Sequence, residues 1–141
     1  MSMQKRAVRF SMSGTMGLES FEAIVEQCQV AEELGFSAFY TSDHLHGVAM
    51  APPESPIMEP WTLTAALAAA TSRIRLGCLV SGVTYRHPPM LAKIAATIDV
   101  ISNGRLELGI GAGWSKEDHL AYGLPFPPLK ERQNRLEEAL E

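Results

Sequence analysis

The sequence predicts an α/β fold of four β/α units, about half of a (β/α)8 barrel. Three observations carry this. Strand-like and helix-like segments alternate, with strand starts roughly 30 residues apart, the signature of repeated βαβ units on a parallel sheet. Links from helix to strand are very short, at Gly35, Ser72-Arg73 and Asn103-Gly104, whereas links from strand to helix are long, at 42–58, 81–87 and 112–127. Only the face at the carboxyl ends of the strands is therefore elaborated, and in parallel α/β folds ligands bind there. Finally, charges alternate with apolar residues inside strands, which suits a barrel lumen better than a sheet covered by helices on both faces.

The elements follow in order. "AVRFSM" (7–12) is a short first strand. Over 19–34, Phe21, Ile24, Val25, Cys28 and Ala31 recur at helical spacing, Glu19 and Glu22 suit the positive end of the helix dipole, and Gly35 suits the helix stop. "FSAFYT" (36–41) is strand two, and "EPWTLTAALAAAT" (59–71) is helix two, with Pro60 in a first turn that tolerates it. "IRLGCLV" (74–80) is strand three. Helix three, 88–102, carries the stripe Leu91, Ile94, Ala95, Ile98 and Ile101, and Gly104 closes it. "RLELGIG" (105–111) is strand four, and 128–141 begins a last helix. Arg9, Arg75 and Glu107 fall mid-strand between apolar neighbours, so they are expected in the lumen, with Glu107 facing at least one of the two arginines.

Composition bounds the rest. With 141 residues, 46% of them hydrophobic and 20% charged, the chain reads as a single globular domain, 1–141. A net charge of -4 without any basic run gives no reason to expect a nucleic-acid partner. No stretch approaches the ~18 apolar residues that span a bilayer, and the start lacks the apolar core of a secretory signal. Cys28 and Cys78 have no metal spacing and read as reduced, buried thiols of a cytoplasmic protein. A closed barrel needs ~250 residues, and the last helix runs to Glu141 without a stop signal. The expectation is the amino-terminal half of a barrel: a fragment, a truncated product or a chain completed by pairing.

Three motifs lie on the elaborated face. "TSDHLHGV" (41–48) puts an Asp and two His at a strand end. His44-x-His46 is a spacing that barrel hydrolases use for a metal, but they need further ligands from later strands, and His87 and His119 stand alone. One neutral His at a strand end, with Asp43 to orient it or cap the loop, suits acid–base work or a hydrogen bond to a cofactor. "GIGAGWSKED" (109–118) has glycines at 109, 111 and 113. It is not a Rossmann fingerprint, because the region ~20 residues on, where an acidic strand end is required, is helical. A strand end without side chains lets a flat ligand or a phosphate approach the backbone, and Ser115 with Asp118 forms a capping pattern for a short helix. "SGVTYRHPP" (81–89) adds Thr84, Tyr85, Arg86 and His87 at the same mouth; His87 reads equally well as a solvated residue before Pro88.

"TSDHL", "EPWTLTAALAAATSRIRLG", "VTYRHPPMLAKIAATIDVIS" and "GRLELGIGAGW", in this order, resemble the luciferase-like monooxygenase superfamily, most closely its F420-dependent oxidoreductase branch. The resemblance implies a TIM barrel that binds F420, or as second choice FMN, at the carboxyl face. It also implies hydride transfer or monooxygenation on a small organic substrate. By position, His44 matches the catalytic His beside the redox ring. Leu79-Val80 matches a non-proline cis peptide in a bulge after strand three, and Gly111 to Gly113 match the cofactor loop. The implied cofactor set is Asp43, His44, Leu79, Val80, Ser81, Gly111, Ala112, Gly113 and Trp114, with no metal. Trp114 stands where some sugar-phosphate-oxidising members have a Glu, which counts against that substrate class. A homodimer through 59–71 and 88–102 is implied as well. Two other readings stand beside this one: a non-catalytic half-barrel acting as a partner subunit or remnant, and a metal hydrolase using His44 and His46.

Overall fold

Four parallel strands, neighbours in the sheet in the same order as in the chain, carry helices on one face. The computed structural model describes residues 8–14, 20–47 and 56–141. Within them lie β1 (Ser11–Ser13), α1 (Phe21–Glu33), β2 (Ala38–Thr41), α2 (Pro60–Ala70), β3 (Arg75–Gly82), α3 (Pro88–Ser102), β4 (Leu106–Gly111), α4 (Lys116–Ala121) and α5 (Leu129–Ala139). The four-stranded parallel sheet is the α/β half-barrel that the sequence predicts.

Helix boundaries follow local chemistry. The Ser20 hydroxyl accepts from Ala23 N–H at 3.2 Å and starts α1, while Glu19 lies outside the described residues. Gly35, at φ +81°, lets the chain leave α1 in a left-handed turn. Glu59 starts α2 by accepting from Thr62 N–H at 2.6 Å, just before Pro60. α3 coincides with its predicted span and ends on left-handed Asn103 and Gly104.

Three strands depart from expectation by two residues or more, β2 only in starting at Ala38 rather than 36. β1 is Ser11–Ser13 rather than 7–12; Ala7 lies outside the described residues, and Arg9 precedes the ladder. Its ladder runs only where β2 offers partners, Ala38 to Tyr40, and Val8 and Phe10 are exposed. β3 continues past Val80 to Gly82, because a bulge between Cys78 and Ser81 lets pairing resume at Ser81 with Ile110 and Gly82 with Gly111. The predicted 112–127 link also contains α4.

The core sits between helices and sheet. Ile24, Cys28, Phe39, Trp61, Leu67, Leu76, Cys78, Leu91 and Ile98 are buried in one cluster. Alternation sends Phe39, Leu76 and Cys78 into it and Tyr40, Arg75 and Glu107 to the opposite face. There Arg75 Nε donates to Glu107 at 2.5 Å and the Tyr40 hydroxyl donates to the same carboxylate. Glu107 is held below the ordinary carboxylate value by Tyr40 first, then by Arg75 and, more weakly, Arg9. Of the three expected lumen charges, Arg75 and Glu107 thus lie opposite the helices and paired, although the half-exposed pair adds little stability, whereas Arg9 is exposed ahead of β1. Cys28 and Cys78 are free, and burial pushes both thiols up to about 12. No helix among the described residues is long and apolar enough to cross a membrane.

Candidate active site

The carboxyl ends of β2, β3 and β4 surround a cavity of about 350 Å³ lined by Asp43, His44, Leu79, Val80, Ser81, Gly82, Tyr85, Gly111, Ala112, Gly113 and Trp114. All nine residues of the expected cofactor set are among them; Gly82 and Tyr85 are additions. A larger groove, about 650 Å³, runs outside between α2 and α3 and shares only Tyr85 with this cavity.

The floor is the bulge of β3. Leu79–Val80 is a cis peptide, as the resemblance implies, and both side chains stay largely exposed, at 59% and 45%. Trp61 Nε1 donates to Ser81 Oγ at 2.7 Å, which ties the strand beyond the bulge to α2. The alternate glycines of β4 serve this bulge. A Cβ at Gly109 would lie 2.8 Å from the Cys78 carbonyl oxygen and 2.9 Å from Val80 Cγ1; one at Gly111 would lie 3.0 Å from Val80 Cγ2. The space the sequence left open for a ligand above these two positions is therefore taken by Val80. Gly113 is different: its φ is +76°, and a Cβ there would meet Thr84 Oγ1 at 2.7 Å. Its carbonyl accepts from Arg132 Nη1, a clamp from α5 that no local motif announced.

His44 occupies one wall with its ring 24% exposed, and Trp114 meets it edge-on at 5.3 Å between centroids. Its orienting carboxylate is not Asp43 but Asp118, 74 residues away, whose Oδ2 lies 2.8 Å from His44 Nδ1. Asp118 is fully buried on α4. It also accepts from Leu45 N–H at 2.8 Å, His46 N–H at 2.7 Å and the Tyr85 hydroxyl at 3.0 Å. Burial alone would raise its pKa, but bonds from His44, Ser115, Leu45 and Tyr85 outweigh that and lower it. Tyr85 moves up, through burial and the Asp118 charge beside it. The capping pattern is half realised: Ser115 Oγ accepts from Asp118 N–H at 3.2 Å, while the Asp118 carboxylate serves the 44–46 loop.

Asp43 has another role. Arg86 Nη1 donates to both its oxygens, at 2.9 and 2.8 Å, and Gly82 N–H donates at 3.2 Å. The other arm of Arg86 donates to Glu59, the cap of α2. Burial pushes Asp43 above the ordinary carboxylate value, with Arg86 opposing. The pair fixes the loop after β3 against the end of β2, so Asp43 orients the frame and not the His44 ring.

The other histidines separate cleanly. His46 Nδ1 meets its neighbour's carbonyl, Gly47 O, at 3.2 Å. His119 is fully buried, with Nδ1 2.5 Å from Ser115 O and Nε2 2.8 Å from Thr84 Oγ1. His87 is exposed at the start of α3 and makes no side-chain cap. Among the described residues no three His, Cys, Asp or Glu are grouped to hold a metal ion, so the His44–His46 hydrolase reading gains no support.

The luciferase-like monooxygenase family profile matches residues 5–141. The chain is 38% identical over 112 residues to an F420-dependent glucose-6-phosphate dehydrogenase of Beutenbergia cavernae, covering 79% of this chain and 32% of that protein. It is 34% identical over 111 residues to an uncharacterized protein of Mycobacterium bovis, covering 69% of this chain and 39% of that one. Among solved structures, a coenzyme F420-dependent tetrahydromethanopterin reductase of Methanopyrus kandleri superposes with a TM-score of 0.70 at 30% identity, over 86% of this chain and 32% of that one. An FMN-bound type II Baeyer-Villiger monooxygenase constituent from Pseudomonas putida superposes with a TM-score of 0.75 at 23% identity, over 96% and 38%, and speaks for the fold alone. Fold and sequence thus define a partial TIM barrel, and the chain belongs to the luciferase-like monooxygenase family. It spans well under half the length of each of these relatives.

Proposed function

We propose that this chain forms the cofactor-facing part of an oxidoreductase that uses the deazaflavin F420, with FMN as second choice, on a small organic substrate. One observation carries the reading: the Leu79–Val80 bulge, the Gly111–Gly113 strand end and His44 converge on a single cavity. The donor set fits a flat redox ring. Leu79, Val80 and Trp114 offer exposed apolar surface for it to cover, and His44 supplies a polar group beside that surface. When bound, such a cofactor supplies hydride transfer or, for FMN, oxygen activation. The chain's own part is positional. Leu79 and Val80 would support the ring, the small residues Gly111 to Gly113 would border it, and His44 would hydrogen-bond or exchange a proton there. F420 is placed first because relatives at 30% identity and above are named for it, whereas the FMN-bound neighbour shares the fold only. Homodimerisation through α2 and α3 is part of the proposal.

The test is fluorescence titration of the full-length protein with F420 and with FMN. Saturable quenching by F420 at lower concentration than FMN is expected. Binding of neither would overturn the reading.

A further inference from the structure

We propose that Asp118 sets the tautomer of His44, so that Nδ1 carries the ring proton and Nε2 faces the cavity as a proton acceptor. The inference deepens the reading of His44 given above, yet it concerns only atoms of this chain. Asp118 is fully buried and is surrounded by donors. Its Oδ1 takes the backbone N–H groups of Leu45 and His46, which can only donate. Its Oδ2 takes the Tyr85 hydroxyl and His44 Nδ1. An ionised carboxylate only accepts, so each partner must bring a hydrogen, and the one on the His44 side is the Nδ1 hydrogen. A neutral imidazole has a single N–H, so Nε2 is left with its lone pair. Among the described residues Nε2 has no protein partner, and the ring lines the cavity. Trp114 braces the ring edge-on. His119 is the internal contrast. Its Nδ1 faces a carbonyl and its Nε2 a hydroxyl, so both nitrogens are spent in a buried structural role.

Asp118 is thus a positioning residue. It needs no contact with a ligand; it turns His44 and fixes which nitrogen can receive a proton. The same carboxylate holds the 44–46 backbone, so turning the ring and shaping the loop are one event.

The experiment is nitrogen-15 imidazole NMR of the full-length protein at alkaline pH, with His44 assigned by the signal lost in His44→Gln. The expected result is a pyrrole-type signal for Nδ1 and a pyridine-type signal for Nε2. In Asp118→Asn, the amide oxygen keeps the Leu45 and His46 N–H bonds and the NH₂ turns to His44. The ring should switch to the Nε2–H tautomer. A wild-type ring carrying its proton on Nε2, or an Asp118→Asn ring with an unchanged tautomer, overturns the assignment. Should Asp118→Asn not fold, the wild-type spectrum still decides. A protein that binds neither F420 nor FMN but shows Nδ1–H ends the functional reading and keeps this one.

Discussion

His44 and His46 are two positions apart and do different work. His44 presents a ring to the cavity; His46 contributes a backbone N–H to Asp118 and turns its own ring to a neighbouring carbonyl. Replacing each by Ala in the full-length protein separates the roles. His44→Ala should lower turnover by about 10²-fold, the usual size of a lost acid–base or polar contact. His46→Ala leaves the backbone bond to Asp118 and should stay within a few-fold of wild type. Equal losses in steady-state assays, with zinc bound to the parent protein, would restore the hydrolase reading. The sequence exposed the cluster but not its wiring. Adjacency made Asp43 the natural partner of His44, whereas the structure gives Asp43 to Arg86 and brings Asp118 from 74 residues away. Nothing local marks such a pairing, because Asp118 already had a satisfactory local explanation as part of a helix cap.

At the scale of elements, the end of the barrel opposite the site is held by side chains that clamp loops. Glu32, near the end of α1, accepts the N–H groups of Ser72, Arg73 and Ile74 and the Ser72 hydroxyl, just before β3. Burial would raise its pKa, but those bonds outweigh it and lower the value from 4.5 to about 2. A depressed carboxylate stabilises the fold above its unfolded pKa, and that contribution fades as pH falls from 4.5 toward 2. Glu32→Gln should therefore cost about 2 kcal/mol near neutrality, a charged acceptor being worth more than a neutral one. The gap between the two melting curves should close on acidification through that window; a gap independent of pH would refute the assignment. Arg105 acts similarly, donating to the carbonyls of Ala68, Thr71, Ile74 and Ser102 where α2 and α3 end. These clamps explain why the links from helix to strand can be so short. Elements were legible wherever local signals were strong: α3 has a proline start, an Asn-Gly stop and an apolar stripe of which only Ile101 turns out exposed, and its span matches the predicted one. β1 was not, because a strand's length depends on its neighbour, which lies far away in sequence. Arg105 and Glu32 were invisible as clamps, since their partners are backbone groups that any residue could supply.

For the whole molecule, alternation of elements and asymmetry of links sufficed to foresee a half-barrel with its site at the strand ends, since both are properties of chain order. The outer surface is a separate matter. A helix on the outside of a monomeric barrel should keep a polar face toward water. From Trp61 to Thr71 α2 has no charged residue, and α3 has only Lys93 and Asp99. Between them runs the groove of about 650 Å³, where Ala65, Ile94, Ile98 and Ile101 supply apolar walls. Met90, Val100 and Ile101 add exposed apolar surface on α3. Small side chains on α2 let another helix approach closely, so a second copy seated here would remove this surface from water. Cover by another part of the same polypeptide is the competing explanation, and a charge scan in the full-length protein separates the two. Ala68 is 1% exposed and belongs to the core, so Ala68→Arg should unfold the protein and reports nothing about the interface. Ala69 is exposed and Ala65, Ala66 and Ala70 are half-buried, so Arg at these positions points outward. At least one of the four should give a folded protein with half the parent mass by light scattering. A parent that is already monomeric, or folded variants that all stay dimeric, would place the interface elsewhere. An outward Arg that unfolds a monomeric parent would show instead that the same polypeptide covers the groove.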